Sequence, residues 1–215
     1  MTNINKEVWK IIDGDASIKK NLLDNLINIS ALARKISQEH DLKNNLDAII
    51  SAIRRYENNN EKKATNTKVY SMLKNSKLST RTKLASMLLK KNSNIRKKLA
   101  ELYSKIDFEA GDTLRIFEVT KYIKIIVDDK NLLIAKKIFT NEEIVESSNK
   151  LSELTIDYNT NVTKTPGVFA TLSNELATNN ISIIDSMICH SEHIFIVDEK
   201  SLEEAFKVVF KLTHD

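Results

Sequence analysis

Apolar residues recur at helical spacing through the first 56 positions and alternate in short runs after position 77. Val8, Trp9, Ile11 and Ile12 form a first apolar patch. Asp15 or Ser17 is a candidate cap for a helix carrying Ile18, Leu22, Leu23 and Leu26. Ser30 is the expected cap of a helix starting at Ala31, Asp41–Asn45 reads as a turn, and Leu46, Ile49, Ile50 and Ile53 define a helix ending near Tyr56. Asn58 to Thr67 is polar and has little to bury, so it reads as a linker or as an extension of that helix.

From Lys77 the pattern becomes extended, through Met87-Leu88-Leu89. A helix over about 94–105 places Ile95, Leu99, Leu102 and Ile106 on one face. Strands at 113–119 and 122–127 follow, joined by a tight turn at Thr120-Lys121, then a helix over 131–139 and a strand at Ile144–Ser147. The order β-α-β-β-α-β then returns. It runs through a strand at Leu154–Tyr158, a Thr-rich loop ending in Pro166-Gly167, and a helix at 168–178 with Val168, Leu172 and Leu176 inward. Strands at 181–189 and 193–197 follow, with a last helix over 202–212 capped by Ser201. The return is visible in the letters. Ile126-Val127-Asp128-Asp129-Lys130-Asn131-Leu132 recurs as Ile196-Val197-Asp198-Glu199-Lys200-Ser201-Leu202, and Ala135 and Lys137 recur as Ala205 and Lys207. One supersecondary unit is used twice. The expected class is α+β: a helical domain over residues 1–65, then two ferredoxin-like βαββαβ units over 66–147 and 148–215.

Charge sharpens this division. Net charge is +4 over 215 residues. Residues 1–65 contribute +2, residues 66–140 contribute +10, and residues 141–215 contribute −8. Between Lys68 and Lys105 the only acid is Glu101. Such an asymmetry implies a polyanion surface or pairing with the acidic end. A single cysteine, Cys189, excludes an internal disulfide framework and reads as a small core residue. No apolar run approaches a membrane span and no signal peptide is evident, so the expected location is the cytoplasm, with no membrane partner.

The helix pair around the polar turn at 41–45 resembles a helix-turn-helix. Its candidate nucleic-acid contacts are Arg34, Lys35, Lys43, Ser51, Arg54 and Arg55, with Arg54-Arg55 at a helix end suited to phosphates. A plain helical domain fits the same residues, with the two arginines complementing the helix dipole.

Three segments of the second repeat carry a more specific likeness: Thr165-Pro166-Gly167-Val168-Phe169-Ala170, Leu176-Ala177-Thr178-Asn179-Asn180-Ile181-Ser182-Ile183 and His193-Ile194-Phe195-Ile196-Val197-Asp198. Together they resemble the ACT domain, most closely the tandem ACT modules of aspartokinases. The likeness covers about 150–210 well and 77–147 more weakly, through the repeat. The residues before it are too few for a nucleotide-binding kinase fold. The resemblance implies an amino-acid site formed by Thr163, Lys164, Thr165, Gly167, Val168 and Phe169, completed by Asn180, Ile181 and Ser182, usually where two ACT units pair. The first copy carries Arg96-Lys97 in place of Pro166-Gly167.

No glycine-rich phosphate loop, nucleophile elbow or Ser/His/Asp set is present, and no cofactor is implied. His190 and His193, with Cys189 and Glu192, flank a turn, so their side chains should point apart and not converge on a metal. The expected protein is a non-catalytic regulator. One form senses an amino acid as a homodimer paired through its ACT sheets and binds DNA. Another is a regulatory subunit that binds an enzyme. A third retains the ACT shape without a ligand.

Overall fold

A computed structural model describes residues 4–40, 42, 46–59 and 65–214. The chain divides into two compact units, Met1–Ala64 and Thr65–Asp215.

The first unit is helical: α1 (Ile4–Gly14), α2 (Ala16–Leu23), α3 (Ile29–Glu39) and α4 (Leu46–Asn59). Asp15 caps α2 by accepting from the N–H groups of Ser17 and Ile18 at 2.9 Å. Asn28, not Ser30, caps α3, accepting from the Ala31 N–H at 3.0 Å and leaving Ser30 inside the helix. Val8, Ile12, Leu22, Leu32, Ile36, Ile49 and Ile53 fill the core. The Trp9 indole donates to the Ala52 carbonyl at 2.9 Å, and the Tyr56 hydroxyl donates to Asp13, tying α1 to α4. The expected turn at 41–45 lies almost wholly outside the described residues.

The second unit opens with α5 (Thr65–Lys74), a helix the sequence pattern did not reveal. Then come β1 (Lys77–Lys90), α6 (Ile95–Lys105), β2 (Leu114–Glu118), β3 (Tyr122–Asp128) and α7 (Leu132–Ile138). The same succession returns as β4 (Ile144–Asp157), α8 (Val168–Thr178), β5 (Asp185–Cys189), β6 (Glu192–Asp198) and α9 (Leu202–His214). The two short strands expected at 144–147 and 154–158 are therefore one 14-residue strand, and position 147/148 falls inside it. The strand expected from Ile181 starts only at Asp185, and Ser201 belongs to a 3-10 turn ahead of α9.

All six strands form one antiparallel sheet in the order β2-β3-β1-β4-β6-β5. The long β1 and β4 pair at its centre, so both repeats share them. Helices cover one face through two clusters. One gathers Met87, Leu102, Ile125 and Phe139; the other gathers Leu154, Leu172, Phe195 and Val209. The opposite face has its own buried cluster of Leu84, Ile126, Leu151, Ile194 and Ile196. No helix is needed there, because the sheet curls onto itself. Arg115 on β2 reaches Glu153 on β4 at 2.6 Å, and Lys124 on β3 reaches Asp185 on β5 at 2.6 Å. On a flat sheet β3 and β5, four strand spacings apart, would lie roughly 19 Å from each other. Both pairs join cations of the basic repeat to acids of the acidic one, so part of the charge asymmetry is used within the fold. No helix among the described residues is long and apolar enough to cross a membrane.

Candidate functional site

The two repeats differ most in the connection from their first strand to their first helix. Between β1 and α6 it is four residues, 91–94; between β4 and α8 it is ten, 158–167. The longer loop is anchored at its ends. The Tyr158 N–H donates to the Ser191 carbonyl at 2.8 Å, and the Val162 N–H donates to the His190 carbonyl at 3.0 Å. Thr163 turns inward on Asn161, whose side-chain oxygen accepts from its N–H and hydroxyl at 3.0 and 2.6 Å. Lys164 is exposed and Thr165 is buried, its N–H on the Val162 carbonyl at 3.0 Å.

Gly167 then takes a left-handed conformation, φ +93°, at the N-cap of α8. A Cβ there would meet Val69 at 3.7 Å, an ordinary contact, so backbone conformation and not space calls for glycine. No side chain caps this helix, and its first internal bond is the Thr171 N–H to the Gly167 carbonyl at 2.8 Å. The N–H groups of Val168, Phe169 and Ala170 thus have no acceptor among the described residues. They form a partial positive end suited to a carboxylate. By contrast, Asn92 closes the approach to α6, accepting from the Asn94 N–H at 2.9 Å, and because α6 starts at Ile95 it is Ser93-Asn94, not Arg96-Lys97, that stands where the second repeat has Pro166-Gly167.

Beneath the loop lies an aromatic group. Val168 is buried, while Phe169 is 37% exposed and stacks on Phe195 at 5.8 Å between ring centres. His193, buried, shares a hydrogen bond of 3.1 Å with the Tyr158 hydroxyl. Burial lowers His193 to about 4 and raises the Tyr158 hydroxyl. His190 is exposed on the turn, and no group of three metal-ligating side chains occurs among the described residues. Cys189 is exposed on the outer strand β5, contrary to the core position expected for it.

The other three expected ligand residues lie elsewhere. Asn180 ends α8 in a left-handed conformation, φ +56°, and the Ile181 N–H returns to the Leu176 carbonyl at 3.0 Å. This is a Schellman-type stop, with Ile181 buried behind it. Asn180, Ile181 and Ser182 line an open groove of about 630 Å³ together with Ser173, Asn174, Ala177 and Ile183. The sequence reading missed those four, although the spacing 173, 174, 177 on a helix already placed three small or polar side chains on one face. The groove holds no charged side chain. Gly167 and Asn180 flank the 11 residues of α8, which separates the two halves of the expected site by roughly 16 Å. The structure does not bring them together within one chain.

In the helical unit Arg34 and Lys35 are exposed on α3, and Ser51, Arg54 and Arg55 are exposed on α4. Lys43 lies outside the described residues. Helix α4 continues to Asn59, so the two arginines are not at its end, and its first turn carries Asp47.

No known family profile matches the chain, and no curated protein is similar to it in sequence. Solved structures do share its fold. The regulatory subunit of aspartate kinase from Thermus thermophilus, in its ligand-free form, has a TM-score of 0.51 at 16% identity, over 63% of this chain and 95% of that one. The regulatory subunit from Thermus flavus gives 0.51 at 15% identity, over 63% and 95%. Aspartate kinase from Clostridium acetobutylicum gives 0.52 at 14% identity, over 63% of this chain but only 34% of the enzyme. This chain therefore spans about a third of that kinase and nearly all of the regulatory subunits. The second unit thus shares its fold with these aspartate kinase regulatory subunits.

Proposed function

We propose that the chain is a non-catalytic regulatory protein whose second ACT-type repeat senses an amino acid or similar small metabolite. The observation that carries this reading is the asymmetry between the repeats. Both have the same elements, yet only the second has the long loop, the left-handed Gly167, the three N–H groups without acceptors and the exposed Phe169. A ligand carboxylate fits the start of α8. The uncharged groove at Asn180–Ser182 suits the remainder of a small polar ligand. Since these ends lie at opposite termini of α8, the complete site joins the loop of one copy to the groove of a second, in a symmetric dimer.

A thermal-shift screen of the full chain against the twenty proteinogenic amino acids tests this. One or a few should raise the Tm, by about 2.7 kcal/mol of stability at a hundredfold excess over Kd. Asn180→Gly keeps the left-handed backbone and removes the amide, so it should abolish the rise. If no amino acid raises the Tm, the reading of an amino-acid sensor is wrong.

A second reading follows from the coverage of the Thermus regulatory subunits: the chain acts as the regulatory subunit of a separate enzyme, held through its helical unit. An enzyme whose rate changes on adding the chain without any amino acid would favour it.

A further inference from the structure

The short β1–α6 connection is the counterpart of the candidate ligand loop, and it gathers cations. Lys90, Lys91, Arg96, Lys97, Lys98 and Lys121 all lie at this end of the sheet, Lys90 on the face away from the helices and Arg96, Lys97 and Lys98 on α6 over the other face. Lys90 pairs with Tyr122 across β1 and β3. The Lys90 N–H donates to the Glu143 carbonyl at 2.8 Å, and the Lys91 N–H donates to the Lys121 carbonyl at 3.1 Å. Glu118 takes Lys91 and Arg96, and Glu143 takes Lys98 at 2.6 Å. Glu142 is the third acid at this end. Lys90, Lys97 and Lys121 are exposed and have no acidic partner among the described residues.

The fold does not require this charge. In the second repeat the corresponding positions of Lys90 and Lys121 are Asp157 and Ser191, and α8 opens with Val168-Phe169 where α6 opens with Ile95-Arg96. Like charges held together without counter-charge repel, and a polyanion relieves that repulsion. A ring is available beside them: Tyr122, next in sequence to Lys121, is 37% exposed. Lys90 shares the face of this ring and Lys97 lies over the other face, so cations flank an exposed aromatic across the end of the sheet, the elements of a path on which a base stacks while phosphates are neutralised.

We infer that this end of the sheet binds single-stranded nucleic acid that crosses it from one face to the other, with a base on Tyr122 beside Lys90 and further phosphates on Lys97 and Lys121. The surface is separate from the proposed metabolite site and does not depend on it.

The test is fluorescence anisotropy of the full chain with a labelled mixed-sequence single strand of about twenty nucleotides. The same measurement is made with its duplex and with polyglutamate, from about 50 to about 200 mM salt. Lys90→Gln/Lys97→Gln/Lys121→Gln should weaken single-strand binding at least about tenfold and lower the log–log salt slope by about 2. Lys97→Gln alone, on a helix surface, should lower the slope by about 0.7 even if the triple variant folds poorly. Tyr122→Ala should weaken binding without changing the slope. Arg54→Gln/Arg55→Gln on the helical unit should leave binding intact. No binding at low salt, unchanged binding in the lysine variants, or loss only in the arginine variant would overturn the proposal. Equal affinity for duplex would overturn the single-strand assignment, and tighter binding of polyglutamate would assign the surface to an acidic protein.

Discussion

Lys83 and Lys150 adopt the same left-handed backbone, φ +56° in each, at equivalent points of β1 and β4. Each marks an extra residue in its strand. Arg81 pairs with Glu153, Leu84 with Leu151 and Ser86 with Ser148, so a bulge in β1 is cancelled by one in β4 and the register is restored. The two bulges fall in the middle of both central strands, where the sheet curls around Leu84 and Leu151.

Left-handed backbone costs an L-residue about 1–2 kcal/mol, which glycine avoids. Lys83→Gly and Lys150→Gly should therefore hold or slightly raise the Tm, although glycine weakens ordinary strand positions. Lys83→Val should lower stability by about 2 kcal/mol, since a β-branched residue resists positive φ. Urea denaturation of the three variants decides this. A valine variant as stable as the glycine one would mean that the bulge does not hold the bend.

Arg115 makes two bonds to Glu153, at 2.6 and 2.7 Å, and the Thr155 hydroxyl donates to the same carboxylate at 3.1 Å. Glu153 is 4% exposed. The pair holds Arg115 firmly charged. Arg115→Met leaves a buried carboxylate without its cation and should cost about 2–4 kcal/mol. Pairing it with Glu153→Met removes the stranded charge and should recover most of the loss. A double-mutant cycle by denaturation measures it; a double variant no better than Arg115→Met would show that the ion pair itself, and not the stranded carboxylate, sets the stability.

Acid should destabilise the second unit in two successive windows that overlap slightly near pH 4. His193 is held at about 4, below its ordinary value of 6.5, so the unfolded chain takes up its proton first. Stability is full above pH 6.5 and falls as pH drops toward 4, by up to about 1.4 kcal/mol per unit. Glu143 is lowered to about 2 from 4.5, chiefly by Lys98, so its contribution is present above 4.5 and lost on further acidification toward 2. His193→Phe should flatten the first window and leave the second; Glu143→Gln should do the reverse. Tm profiles from pH 7 to 3 would show it, and an unaltered upper window in His193→Phe would refute the assignment.

Much of the second unit was legible because its core is written in period-two and helical runs, and the repeat around Ile126 and Ile196 marked equivalent elements. The polar run Glu146-Ser147-Ser148-Asn149-Lys150 hid the continuity of β4, since those positions lie at the bend and are mostly exposed. Ser30 and Asn28 are both good caps, and only backbone geometry selects Asn28. The curl of the sheet had no local signal, because Arg115 and Glu153 lie far apart in sequence. Exposure of Cys189 depends on β5 being an outer strand, which is a property of strand order. The candidate loop was visible in Pro166-Gly167, whereas its separation from Asn180 needed the helix between them.

A site shared between two copies is tested most directly by mixing variants. Ala170→Asp places a carboxylate at the free N–H groups of α8 and should block the loop without harming the helix. Asn180→Gly removes the groove amide. By calorimetry with the amino acid that stabilises the wild type, each variant alone should bind nothing. A mixture in equal amounts should recover about a quarter of the wild-type sites, because only mixed dimers carry one intact loop facing one intact groove. A mixture that binds nothing, or an Asn180→Gly variant that binds as wild type, would contradict a site completed by the second copy.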